Sequence, residues 1–480
     1  MLDHGSVDLD ELVGAERQLW EAFPHRGLVD LSEAQDRKIR SDVLRALLLG
    51  AQPPAAGHLA ALVLVGAEVT GVLDLSYSTV SFPARMARCV FEHPIELVGT
   101  SISVLNLSGS SVPGLHAPYA TVAGNLELDA MDLGGRVDLR GARIKGILNL
   151  NDTTITADGQ ALLGRRLQVE HDITARRLRT TGEVFLSDSK VDGCVFLEGA
   201  FLGSTFGRSL TARGATVGAL MNCSDGFTAD GQISLTGAVI RNGLSFYDSQ
   251  LSNAQTKALT CRNLRTSRLQ LLPKTPIGGE LDLRHANIDV IEDAPSTWPS
   301  RIKLDGLIYR SFDSEAGLLE RINWLGRDPS GHRSQPYEHL ASVLRNSGRS
   351  DAARRVLLTA ERRARAGRGA SARAWGYVQD ALLGYGYLPA RAAGWFVGFA
   401  IAGWLFFSAF PPEPGRDATP KSFVAFVYAC DLLLPVVNLR QEALYRPTGA
   451  GAWVATLLIV MGWVLTTTVA VALGRVLRRP

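Results

Sequence analysis

GRVDLRGARIK at 135–145 runs without a gap into GILNLNDTTIT at 146–156. Both strings of 11 residues read Gly, any, apolar, any, Leu, any, any, small, any, apolar, any. Apolar slots spaced by two and then by five suit short strands joined by tight turns, because alternate strand residues share a face. Further copies are GVLDLSYSTVS at 71, GNLELDAMDLG at 124, GEVFLSDSKVD at 182, GCVFLEGAFLG at 193, GQISLTGAVIR at 231, NGLSFYDSQLS at 242 and GELDLRHANID at 279. One unit alone buries nothing, so stability has to come from stacking coil on coil, roughly 4.8 Å apart as neighbouring strands are. The chain is therefore read as mainly β, a parallel β-helix or solenoid. Leu75, Leu128, Leu139, Leu150, Leu186, Leu197, Leu235 and Leu283 are expected to line its interior. The eighth slot holds Ser78, Ala142, Thr153, Ser189, Ala200, Ala238, Ser249 or Ala286, small side chains for a crowded corner, with Met131 as the departure.

A longer period lies over the short one. Units begin at 135, 182, 231 and 279, steps of 47, 49 and 48 residues, and each step of about 48 is read as two coils. ALLGRRLQV at 161, SLTARGATV at 209 and ALTCRNLRT at 258 mark the second coil of each step. A polar connection precedes each: TADGQ at 156, GSTFGR at 203 and SNAQTK at 252, which stacking would gather into one ridge. Insertions along one face are the usual place for a solenoid to bind something, which makes Asp158, Gln160, Arg208, Asn253 and Lys257 candidate ridge residues. The competing reading is a row of solvated turns, since no acid and base pair or aromatic cluster recurs among them.

VDLRGARI at 137 and LDLRHANI at 281 resemble pentapeptide-repeat and related right-handed parallel β-helix proteins. The resemblance implies a right-handed coil of four-sided cross-section. This chain steps by 11 with longer insertions, where true pentapeptide arrays step by five.

Composition agrees with an elongated core: 48 glycines and only 7% aromatic residues suit small and branched side chains. With 50 basic against 47 acidic residues, the chain is not a nucleic-acid binder covered in positive charge. Five cysteines, far apart and never in CxxC spacing, fit a reduced compartment, and Cys89, Cys194, Cys223 and Cys261 are read as small buried apolar side chains. The acidic start, MLDHGSVDLDELVG, lacks the basic flank and apolar core of a secretory signal.

Residues 8–23 and 32–50 carry apolar residues at helical spacing, with Ser32 as N-cap and Gly50 as stop, so 1–55 is expected to be a helical cap over the first coil of a solenoid at 56–310. After Tyr309 the period becomes helical, with breaks at Pro329, Gly348 and Gly367. Residues 335–366 read as one helical hairpin of the tetratricopeptide type, within a helical and basic juxtamembrane region at 311–390.

The membrane domain is placed at 391–480. Residues 392–410 and a second span at 449–474 are uncharged and long enough for the roughly 30 Å hydrocarbon layer. Arg362, Arg363, Arg365, Arg368 and Arg373 before the first span form a basic cluster suited to anionic lipid headgroups, and Arg475, Arg478 and Arg479 follow the second. Both termini are thereby expected on the cytoplasmic side of the inner membrane, with 411–448 facing outward. Between the spans, 423–439 is apolar but short, holds Asp431 and Pro435, and is read as interfacial or re-entrant. In the re-entrant case Asp431 would ring the pore of a homo-oligomer, although no TVGYG-like filter follows and GYGYLP at 384–389 precedes the first span.

Catalytic signatures are missing: no HExxH, no GxGxxG opening a helix, no GxxxxGK[ST] and no GxSxG, so no metal, cofactor or nucleophile site is assigned. The run Glu170, His171, Asp172 is read as a solvated face. WLGRDPSGHRSQPYEHLASVLRNSGRSDAARRVL, YGYLPARAAGW, DLLLPVVNLRQEALYRP and GWVLTTTVAVALG resemble a family of actinobacterial membrane proteins often labelled membrane-associated oxidoreductases. That resemblance implies a redox enzyme, yet no stretch would bind a nicotinamide, flavin, haem or iron–sulfur cluster in a recognisable way. The expectation is a membrane-anchored cytosolic solenoid serving as a binding or scaffolding surface for an unknown protein partner. A pore around Asp431 and a redox enzyme stand as alternatives.

Overall fold

The structure, a computed structural model, describes residues 14–366 apart from Thr205, then 389–414 and 423–477, together with Leu12, Gly369, Arg373 and Tyr377. It divides into two units, Met1–Gly331 and His332–Pro480.

The first unit is a parallel β-solenoid of about 11 turns, built from sheets of 21 and 19 strands. Each turn carries two of the repeating units. Leu126 therefore pairs with Leu148, while an insertion stretches the next step, from Leu148 to Ile173. The 48-residue period is two coils: Val137 is followed by Leu162, Val184, Leu210, Ile233, Leu259, Leu281 and Ile302 in a single buried column. All eight fifth-slot leucines are buried. So are the eighth-slot residues other than Ser78, Met131 included. Two inward hydroxyls reach carbonyls three residues back, Ser189 Oγ to Leu186 at 2.8 Å and Ser249 Oγ to Phe246 at 2.9 Å, and Thr153 Oγ1 donates to Leu128 O of the preceding coil, so their burial leaves no polar atom stranded.

The corners follow from hydrogen bonds of the Ala142 N to Leu139 O kind, 3.1 Å, which close type II turns. Such turns need positive φ at the seventh slot. Gly141 supplies it at +64°, but Tyr119 at +60°, Ala130 at +53° and Asp152 at +58° stand in the same place. Tyr119 is 71% exposed and stacks on Gly141, where a β-carbon would lie 2.8 Å from its ring, so this tyrosine requires that glycine one coil on.

Two helices, α1 (Ala15–Ala22) and α2 (Ser41–Leu48), stand at the N-terminal end and bury Leu19, Val43, Leu44 and Leu47. The stretch expected to be purely helical also contains strands, for Val29–Asp30 pairs with Leu64–Val65 and Lys38–Arg40 with Glu68–Thr70. Pairing the open edge of the coil outweighs helical spacing there. Ser32 is not an N-cap: its N–H and hydroxyl both donate to Asp30 Oδ1, at 2.9 and 2.6 Å. Gly50, at φ +91°, ends α2 as expected. At the far end α3 (Leu318–Leu325) is pinned to the last coils through Arg321 and Asp293, and Trp298 Nε1 donates to the same carboxylate at 2.9 Å. Of the cysteines, Cys89, Cys223 and Cys261 are buried, and burial pushes the Cys89 thiol up to about 11. Cys194, expected to be buried, is only half-buried, and its N–H donates to Asp172 Oδ1, 2.7 Å away.

In the second unit α4 (Ser334–Asn346) and α5 (Ser350–Ala366) form the expected hairpin, turned at Gly348 with φ +78°. Three further helices, α6 (Pro389–Ala409), α7 (Ala425–Leu433) and, after the short α8 (Gln441–Leu444), α9 (Ala450–Leu477), pack around Phe407, Tyr428, Leu433 and Leu458. Among the described residues only α9 is long and apolar enough to cross a membrane; the apolar stretch Ala393–Ala409 of α6 is shorter. Both carry exposed apolar side chains, Val397, Leu405 and Phe410 on or just after α6, and Trp453, Leu457 and Trp463 on α9. Helix α7 is half a span, and the chain turns beyond it at Pro435, where Val437 N donates to Leu434 O at 3.1 Å. Gly367, Arg368, residues 384–388, Arg478 and Arg479 lie outside the described residues.

A candidate binding cleft on the insertion ridge

The three polar connections fall in alternate coils on the same sheet. Their strands, Gln160–Leu163, Arg208–Thr211 and Gln250–Thr260, are separated by the plain coils of Glu183–Phe185 and Gln232–Ser234. Two inserted coils with a plain coil between them make a groove: two walls and a floor.

The groove between the second and third insertions is open. Its volume is about 780 Å³, and it is lined by Ser204, Phe206 and Arg208 on one wall, Ser252, Asn253, Thr256 and Lys257 on the other, and Asp230, Gly231 and Gln232 along the floor. Backbone bonds tie floor to walls, Gln232 N to Gly207 O and Gly231 N to Ser252 O, both at 2.9 Å. Asn253 Nδ2 bridges the walls, donating to Gly207 O at 3.3 Å and to Lys257 O at 3.1 Å. Ser204 Oγ folds the first wall by accepting the N–H groups of Phe206 and Arg208, at 3.2 and 2.7 Å. The glycines that open the units at 231 and 279 are required here. Gly231 has φ +153°, and a β-carbon on it would stand 2.6 Å from Ser209 Oγ; on Gly279, φ +150°, it would stand 2.7 Å from Asn253 O.

Charges of both signs line and back the cleft. Lys257 Nζ lies 3.5 Å from Asp282 Oδ2, and the Arg284 guanidinium forks the same carboxylate at 2.8 and 2.6 Å. Burial would raise the Asp282 carboxyl, but Arg284 and then Lys257 outweigh it and hold the group below the usual aspartate range. Among the described residues, Arg208 and Asp230 form no ion pair and are exposed. Phe206 is 78% exposed at the rim.

The ridge residues expected from the sequence thus divide. Arg208, Asn253 and Lys257 meet in the cleft, whereas Asp158 and Gln160 belong to the neighbouring groove. There the Phe206 ring lies over Gly159, 3.7 Å from where a β-carbon would be, and Glu183, stacked beside Gln160, is 8% exposed. Phe206, Asp230 and Gln232 were not singled out by sequence. An aromatic ring inside the glycine-flanked turn GSTFGR is the signal that could have found the first; the other two sit in a coil with no insertion and no distinctive spacing.

In the second unit, Asp431 is 5% exposed and its carboxylate accepts three backbone N–H groups, from Leu439 at 2.6 Å, Gln441 at 2.8 Å and Glu442 at 2.7 Å. It folds the segment after Pro435 back on α7 and caps α8. The basic cluster is partly engaged: Arg363 Nη1 donates to Tyr337 Oη at 2.5 Å, and the Arg365 guanidinium lies 3.9 Å from the Tyr377 ring centroid. Arg362 and Arg373 are exposed. Among the described residues no group of His, Cys, Asp and Glu is placed to hold a metal ion. No protein-family model, curated protein or solved structure matches the chain.

Proposed function

We propose that the protein is a membrane-anchored solenoid whose insertion ridge binds a ligand at the membrane surface. The observation that carries this reading is the cleft between Phe206–Arg208 and Ser252–Lys257, a concave site of small-molecule size with convergent polar groups. In this reading α6 and α9 both span the bilayer, the 28-residue α9 by tilting and the shorter α6 by local thinning, with the exposed Trp395 and Trp453 at the interface, and α7 dips in between them. Arg362 and Arg373 face anionic headgroups on the cytoplasmic side, which also holds both termini and the right-handed solenoid. Scaffolding is favoured over a pore because the Asp431 carboxylate is committed to three backbone donors and has little left for a passing ion.

A photo-crosslinking amino acid placed at 206 or, as control, at the exposed corner position 77 tests the reading in cells. Position 206 should capture a species that position 77 does not, and Arg208→Glu should abolish the capture. Equal labelling at both positions would remove the cleft from consideration.

A further inference from the structure

We infer that the cleft takes a neutral saccharide, one or two sugar rings of an extended β-linked glycan. This inference rests on the ridge being a binding surface and names the chemistry that surface would recognise.

Charge comes first. Lys257 and Arg284 both engage Asp282 behind the cleft, which leaves Arg208 and Asp230, one of each sign, as the lining charges without an ion pair, so a ligand in the cleft meets both signs. A ligand that uses both signs without carrying net charge has to donate and accept hydrogen bonds at closely spaced points, which is what sugar hydroxyls do. The lining matches that demand: Asp230 accepts only, Arg208 donates only, Asn253 keeps its carbonyl oxygen as acceptor while its amide hydrogens hold Gly207 O and Lys257 O, Gln232 keeps one donor beside its bond to Thr260, and Ser252 and Thr256 add rotatable hydroxyls.

The second argument is Phe206. An exposed ring at the rim of an otherwise polar cleft offers a negative π-face with nothing of its own stacked on it in the open groove, and the C–H face of a pyranose is electropositive. The loop bond from Phe206 N to Ser204 Oγ and the glycine at 207 hold the ring at the rim without burying it.

The third is width. The wall strands stand two coil spacings apart, about 9.6 Å between backbones, which after the walls' own thickness leaves the width of one sugar ring with the chain running along the groove. An extended β-linked chain keeps to such a straight path, and a helical α-linked chain does not.

The test uses the full chain in a polyoxyethylene detergent, since glycoside detergents would compete for the site. Short cello-, chito- and malto-oligosaccharides are titrated by calorimetry and by saturation-transfer NMR. A β-linked series should bind, maltose oligomers should bind less, and Phe206→Ala or Asp230→Asn should weaken binding about tenfold, with Tyr77→Ala unchanged as the exposed-aromatic control. The inference is overturned if no oligosaccharide binds, if binding survives both cleft variants, or if inorganic phosphate displaces the sugar stoichiometrically. When glycans fail but the probe at 206 still captures a species that Arg208→Glu removes, the binding ridge stands and only the saccharide assignment falls. Silence in both experiments discards both.

Discussion

Arg321 and Asp293 meet in a two-point pair, Nη1 to Oδ2 and Nη2 to Oδ1 each at 2.8 Å, with side-chain exposures of 5% and 2%. The guanidinium also lies 3.6 Å from the Phe312 ring centroid, so one residue of α3 is bonded to, and stacked on, two neighbouring strands of the last coils. Arg321→Met leaves a buried carboxylate with Trp298 as its remaining donor, and the expected loss is about 3–5 kcal/mol. Adding Asp293→Asn to that variant should recover part of the loss, as read from urea midpoints of the single and double variants. A single-variant cost below about 1 kcal/mol would mean the pair behaves like a surface one.

The seventh slot makes a prediction of opposite signs. Ala130 holds φ +53°, so Ala130→Gly should stabilise the solenoid by about 1 kcal/mol. Gly141→Ala should destabilise it by more than that, because the new β-carbon meets the Tyr119 ring. Thermal unfolding of the two variants decides it, and equal shifts would sink the turn argument.

Asp282 links the cleft to acid stability. Its folded carboxyl is held below the ordinary aspartate value by Arg284 and Lys257 against the opposing effect of burial. The stability it contributes is therefore complete above about pH 3.9 and is lost as the pH falls through the lower, folded value. Asp282→Asn should flatten the acid limb below that pH while lowering stability at neutrality. Urea midpoints measured at successively lower pH would show it, and an unchanged slope would assign the acid transition to other carboxylates.

Asp431→Ala removes the acceptor of three backbone N–H groups, at about 1–3 kcal/mol for each donor left unpaired. The expected result is faster tryptic cleavage at Arg440 and Arg446 in reconstituted protein, with Asp431→Asn intermediate. Ion flux through liposomes is expected to be absent and equal in both. A conductance altered by the substitution would restore the pore.

Periodicity carried the solenoid because every coil repeats one burial demand, so Leu139 and Leu150 announce the interior in a way no isolated leucine could. The two-coil step was legible too, since GEVFL, GQISL and GELDL recur in register. What could not be read was anything set by a neighbour in space: that Tyr119 needs Gly141, that Lys38–Arg40 would leave a helical pattern to pair an edge, or that the Phe206 ring lies over Gly159 while bordering the next groove. The candidate site divided along the same line. Arg208, Asn253 and Lys257 stood out as insertion residues, whereas Asp230 and Gln232 gain meaning only from the walls on either side.

Since one groove needs two inserted coils and the plain coil between them, the chain lengthens naturally in parcels of about 48 residues. A tandem duplication of that parcel inside the solenoid would add a wall and a floor in register and leave both end seals untouched. The number of grooves is thus a count of copied parcels, adjustable without redesigning the rod that carries them.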